Sequence, residues 1–236
     1  MALPVLNDSP IYQVTVPSTD EVIKFRPFLV KEQRTLLIAF ESQDRRQILN
    51  AVLDTIQSCA GIDPRPLPMY DVEYIFVQIR AKSVGETTDI SIACSECEHK
   101  TPIKVDFNDA IIQKEDVPSI IKLTDDVNIK LRHPSFYEMV NNQIITNDET
   151  TVTDRLTESI LLSIESVLTE EEQISFKDEP REEKLRFFNS LTNEQFAKIK
   201  DYIDSAPKMI YDAKWDCEAC NKPNERRLSS IDDFFS

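Results

Sequence analysis

The residues best placed to do chemistry are four cysteines in two short motifs half the chain apart, Cys94-Ser95-Glu96-Cys97 and Cys217-Glu218-Ala219-Cys220. A four-coordinate zinc ion takes four thiolate sulfurs at tetrahedral angles. Two C-x-x-C turns supply two sulfurs each, with backbone N–H groups left over to bond them. The spacing predicts one structural zinc site with Cys94, Cys97, Cys217 and Cys220 as ligands. Four cysteines close the coordination sphere to water and substrate, so such a zinc contributes folding energy rather than catalysis.

Other readings of the same residues are weaker. A redox C-x-x-C of the thioredoxin type sits where a strand runs into a helix, whose N-terminus lowers the thiol pKa; here polar residues and then strand alternation follow. Two such pairs in one chain also favour metal over unlinked core thiols. His99 could replace a sulfur, but with four cysteines at hand it reads as a solvent-facing residue. One departure stands out: the position after each second cysteine, where ribbon knuckles turn left-handed and favour glycine, holds Glu98 and Asn221. Asparagine tolerates that conformation and glutamate does so poorly.

The elements that must carry the knuckles are strands. Thr88, Ile90 and Ile92 alternate with polar residues before Cys94, as do Met209, Tyr211, Ala213 and Trp215 before Cys217. Alternation resumes after Cys97 at Thr101, Ile103, Val105 and Phe107 and is weaker after Cys220, reaching Leu228. Each knuckle therefore tips a hairpin, and two hairpins facing each other across a metal make a zinc ribbon. Between them lies a mainly helical insert at about 110–207.

Composition narrows the function. The chain has 236 residues, 41% of them hydrophobic, enough for a sizeable core in one domain or two small ones. Its formal charge of −15 repels nucleic acid and anionic membrane and suits partners with basic surfaces. Lys222, Arg226 and Arg227 form only a small basic patch near the second knuckle. Two glycines in the whole chain, Gly61 and Gly85, exclude the phosphate-cradling loops built on clustered glycines. With two histidines, no nucleophile elbow and no H-E-x-x-H, no catalytic constellation is written here. No small-molecule substrate is expected. The N-terminus lacks the regions of a signal peptide and no apolar run approaches a membrane span, so a cytosolic chain is expected. Five cysteines, four of them in metal spacing, fit a reducing compartment, and Cys59 falls on the apolar stripe of a helix and reads as core.

Along the chain, residues 11–16 and 21–26 predict a hairpin joined by the turn Pro17-Ser18-Thr19-Asp20. Helices follow at about 30–41 and from the cap Asp44 to the stop Gly61, with Ile48, Leu49, Val52, Leu53, Ile56 and Cys59 inward. The stiff segment Pro64-Arg65-Pro66-Leu67-Pro68 separates this unit, 1–63, from a zinc-ribbon domain over 64–236. Residues 70–85 fit a helix between Asp71 and Gly85, although their content also suits a buried strand. In the insert, 127–132 reads as a strand, His133-Pro134 as the start of a helix to about Asn142 with His133 as a cap or turn residue, and 146–153 as a polar loop. Leu156, Ile160, Leu161, Ile164 and Leu168 predict one further helix, Pro180 to about Ser190 another, and Thr192 caps a third with Phe196, Ile199 and Ile203 inward. The run Leu228 to Ser236 is an acidic tail with apolar residues that either finishes the core or docks on a partner. The fold class is α+β: an N-terminal β-hairpin and helical hairpin, then a discontinuous zinc ribbon.

The segment Leu67-Pro68-Met69-Tyr70-Asp71, then Glu73-Tyr74-Ile75-Phe76, then Gln78-Ile79-Arg80-Ala81-Lys82-Ser83-Val84-Gly85-Glu86, is followed at once by a strand and a C-x-x-C. In this it resembles the baseplate hub protein family of T-even-like contractile-tailed phages, and the likeness runs on to the second C-x-x-C. The resemblance implies a late viral protein of the infected cell's cytoplasm that joins other baseplate hub proteins, as a subunit of the tail baseplate or as an assembly factor. It carries over no catalytic residue. The competing classes are an enzyme modifying hub components and a zinc-ribbon protein that binds nucleic acid. Arg80 to Gly85 would form either a contact surface or the polar end of a helix packed on the ribbon.

Overall fold

The computed structural model describes residues 9–143 and 149–229. Strands β1 (Tyr12–Thr15) and β2 (Val22–Phe25) pair antiparallel and lead into helices α1 (Val30–Ser42), α2 (Arg45–Ala60) and α3 (Met69–Val84). An antiparallel hairpin of β3 (Thr87–Ala93) and β4 (Lys100–Asp106) follows, then the short strands β5 (Ile111–Gln113), β6 (Ile120–Lys122) and β7 (Asn128–Leu131). Helices Phe136–Asn141 and Val152–Ser163 precede β8 (Ile164–Leu168) and β9 (Gln173–Ser175), and helices Arg181–Asn189 and Asn193–Asp204 lead to β10 (Lys208–Asp216) and β11 (Pro223–Leu228). The class is α+β. No helix among the described residues is long and apolar enough to cross a membrane.

The chain divides into two compact units: one joins the chain up to Pro64, Tyr70–Gln113 and Lys208 onward, the other Arg65–Met69 and Lys114–Pro207. In the first unit, helix α2 starts where Asp44 accepts hydrogen bonds from the N–H groups of Arg46 (2.8 Å) and Gln47 (3.2 Å) and stops at Gly61, whose φ of 67° is the left-handed turn glycine permits. Arg26 fastens this helix to β2: its N–H donates to the Cys59 carbonyl (3.1 Å) and its guanidinium donates to Glu32 (2.8 Å) and the Ser58 carbonyl (3.1 Å). Cys59 is buried as expected, and burial pushes its thiol up to about 11, which leaves it a core residue without thiolate character.

Helix α3 resolves the ambiguity between helix and strand. Val72, Ile75, Phe76, Val77, Ile79 and Ala81 are all buried, so apolar residues surround the axis instead of forming a stripe, as a helix enclosed by its own unit requires. It begins two residues before Asp71. That carboxylate, fully buried in the first turn where negative charge meets free N–H groups, accepts from the Ser18 N–H (3.0 Å) and from the Ser18 hydroxyl, tying the β1–β2 turn to the helix. At the other end Ser83 accepts from the Phe28 N–H (2.9 Å), Lys82 pairs with Glu86, and the Arg80 guanidinium lies 5.0 Å from the centre of the Phe107 ring. Val77 and Ala81 share one core with Ile90, Ile92, Val105, Phe107, Met209, Ala213 and Leu228. Residues 80–84 are thus the last turn of a helix that packs on both hairpins through Val77 and Ala81.

The second unit holds the helices expected of the insert and adds to them a four-stranded antiparallel sheet in the order β6-β7-β8-β9, of which only the strand at 127–132 is predicted from the sequence. Its core holds Ile121, Ile129, Leu131, Ile160, Leu161, Ile164, Val167, Phe176, Ile199 and Tyr202. The predicted helix through Leu168 ends at Ser163, and Ile164 to Leu168 pair with β7. Residues four apart share a side under both the 3.6 and the 2.0 period, so the spacing of Ile160, Ile164 and Leu168 could not separate the two. Strands β5, β6 and β9 are three residues each, too short for periodicity to register.

The helix expected at His133-Pro134 starts instead behind Ser135. A capping box wins there: Ser135 Oγ accepts from the Glu138 N–H (3.1 Å) and Glu138 accepts from the Ser135 N–H (2.9 Å). His133 lies just before it and stacks on Tyr202 with ring centres 4.9 Å apart. Burial works against ionisation of Glu138, but both Arg132 guanidinium nitrogens (2.7 and 2.8 Å) and the Ser135 N–H outweigh it and hold the carboxyl down to about 2. A depressed pKa contributes stability that is complete above the ordinary glutamate value near 4.5 and lost as pH falls toward 2. Glu138→Gln is therefore expected to destabilise the protein at neutral pH and to flatten the fall in melting temperature between about pH 4.5 and 2, read by thermal melts across that range. The polar loop at 146–148 and the acidic tail at 230–236 lie outside the described residues; Leu228 is buried.

Candidate metal centre

Strands β3 and β10 each deliver a buried cysteine, Cys94 and Cys217, and the turns that follow deliver the exposed Cys97 and Cys220. The two turns fold alike because the same backbone bonds close them. Cys94 N–H donates to the His99 carbonyl (2.9 Å) and Glu98 N–H to the Cys94 carbonyl (3.1 Å); Cys217 N–H donates to the Lys222 carbonyl (2.9 Å) and Asn221 N–H to the Cys217 carbonyl (2.9 Å). Glu98 and Asn221 both adopt the left-handed conformation, with φ of 59° and 57°. A side chain with a Cβ is strained there, Glu more than Asn. Glu98→Gly is therefore expected to stabilise the protein by roughly 0.5–1 kcal/mol, relief of strain outweighing the added chain entropy, as measured by denaturant melts.

The four sulfurs lie within 4.8 Å of one another, a group able to hold a metal ion. The distances are 3.7 Å for Cys94–Cys220, 3.6 Å for Cys97–Cys217 and 3.5 Å for Cys97–Cys220. Four sulfurs about 2.3 Å from a central ion at tetrahedral angles stand about 3.8 Å apart, so donor set and spacing fit a tetrahedral thiolate site. His99 is exposed and its ring is not in the group.

The surroundings divide the four thiols, lowering the pKa of the buried Cys94 and Cys217 and raising that of Cys97 and Cys220. The N–H groups of Cys97 and Glu96, helped by the Asn224 amide, pull the Cys94 thiol down to about 6. The Lys222 N–H works to lower Cys220, but the sulfurs of Cys97, Cys217 and Cys94 and partial desolvation carry it up to about 12. Crowded thiols cannot all ionise together without a positive ion between them. Glu96 and Lys222 form an ion pair from one knuckle to the other. Of the basic patch, Lys222 is engaged there and Arg227 is bonded to Asp212 at 2.8 Å. Sequence reasoning missed Thr101 and Asn224, buried residues that reach from each hairpin to the opposite knuckle. The signal was their shared position four residues past the second cysteine.

The family model described as T4 bacteriophage base plate protein matches residues 9–236, nearly the whole chain. No curated protein and no solved structure matches.

Proposed function

We propose that this chain, which belongs to the T4 bacteriophage base plate protein family, works by protein–protein assembly of the baseplate hub and is held together by one structural zinc bound to Cys94, Cys97, Cys217 and Cys220. The match across residues 9–236 carries the baseplate reading, and the resemblance in the α3 segment narrows it to the hub. The spacing of the four sulfurs supports the zinc. A site closed by four cysteines leaves the metal no substrate position, so the metal's role is structural.

Its partners are other hub proteins. A charge of −15 favours basic protein surfaces over nucleic acid or anionic membrane, and the pairing of Lys222 and Arg227 with carboxylates takes cations from the basic patch near the second knuckle. Assembly takes place in the host cytoplasm and the product is the tail baseplate. Quantitative mass spectrometry of purified virions and of hub complexes from infected cells tests this. A fixed ratio in both identifies a hub subunit, presence only in the intracellular complexes identifies an assembly factor, and absence from both overturns the hub reading in favour of an enzyme acting on hub components.

A further inference from the structure

We infer that Thr101 and Asn224 are reciprocal positioning residues that bring the two half-sites into register for the metal, an inference that rests on the zinc reading above. They occupy matching places. Thr101 is the second residue of β4 and pairs across its hairpin with Ile92, two residues before Cys94; Asn224 is the second residue of β11 and pairs with Trp215, two residues before Cys217. Both are buried, at 4% and 9% exposure.

Each serves the knuckle of the other hairpin. Asn224 Oδ1 accepts from the N–H of Ser95 (3.1 Å), the residue after Cys94, and from its hydroxyl (3.0 Å). Thr101 Oγ1 accepts from the N–H of Glu218 (3.4 Å), the residue after Cys217. The same backbone group in each turn, one residue past the first ligand, is thus held by a side chain from the opposite hairpin. Half the chain separates the hairpins, so a bond that crosses between them sets the distance from one cysteine pair to the other, whereas bonds within a knuckle only shape that knuckle.

The exchange is not symmetric. Asn224 also donates from Nδ2 to Cys94 Sγ (3.5 Å) and to the Lys222 carbonyl (2.8 Å), so one side chain fixes a ligand sulfur, the turn that carries it and the end of its own knuckle. The threonine hydroxyl offers the second knuckle a single acceptor contact. Partners of this outer kind orient metal ligands, and their loss weakens affinity by roughly 10- to 100-fold. Asn224 is expected to lie at the upper end of that range and Thr101 at the lower.

The test is Co2+ titration of the purified full chain, with Zn2+ competition, reading affinity and the visible thiolate–cobalt bands. Asn224→Ala should weaken binding the more and shift the bands, because the sulfur it bonds is a ligand. Thr101→Val, close to the native shape without the acceptor, should weaken binding by roughly 10-fold, and Thr101→Ser should restore it. That rescue separates the hydroxyl's role from loss of fold. Wild-type affinity and bands in both Asn224→Ala and Thr101→Val would overturn the inference and leave the zinc reading standing, as would Thr101→Ser behaving like Thr101→Val. A wild-type chain that binds neither Co2+ nor Zn2+ would overturn both.

Discussion

If the proposed zinc is bound, replacing Cys94 or Cys217 with serine is expected to remove it and to cost at least about 4 kcal/mol of stability, the largest effect of any single change argued here. Both cysteines are essentially buried, at 2% and 0% exposure, and each lies at the end of a strand whose side chains line the core shared with α3. A serine oxygen is a poor zinc ligand and the remaining three sulfurs belong to unequal half-sites, so metal and fold go together. Metal analysis and thermal melting check this, and a chelator separates cause from packing. Zinc removal should lower the melting temperature of the wild-type chain toward that of the variants and leave the variants where they are. A variant that kept a full zinc complement and a native melt would sink the single-site reading.

Much of this site is legible in the sequence, because a C-x-x-C knuckle is a local object: four residues, a strand on each side and a left-handed turn at a fixed place. The alternation before Cys94 and Cys217 locates β3 and β10, and the left-handed backbone at Glu98 and Asn221 falls at the two positions where a glycine would be favoured. The helices capped by Asp44 and Thr192 are equally readable, since each side-chain oxygen meets N–H groups two or three residues on. What escapes is non-local or very short. Asp71 reads as a cap in sequence, yet it lies inside the first turn and its carboxylate accepts from Ser18 of the first hairpin. The sheet of the second unit depends on three-residue strands whose identity comes from pairing rather than pattern. Thr101 and Asn224 look like ordinary polar strand residues until the opposite hairpin is placed beside them.

Phe107→Ala should destabilise the first unit by roughly 3–5 kcal/mol, the second largest effect expected here. The ring is 1% exposed and sits where β4 ends, in the core that α3 shares with both hairpins. Its removal opens a cavity where these elements meet, and it takes away the face over which Arg80 lies. Burial already lowers the Arg80 pKa, so losing that contact leaves a half-buried cation less well compensated. Phe107→Leu divides the two contributions, because leucine retains much of the apolar volume and none of the π face. If packing dominates, the leucine variant should lose less than about 1.5 kcal/mol in denaturant melts. A loss as large as that of the alanine variant would mean that the aromatic ring's contact with Arg80, rather than the filled volume, holds α3 against the cysteine hairpins. Because those hairpins carry the four cysteines proposed as ligands, the alanine variant should also bind zinc more weakly, through folding rather than through any contact with the metal.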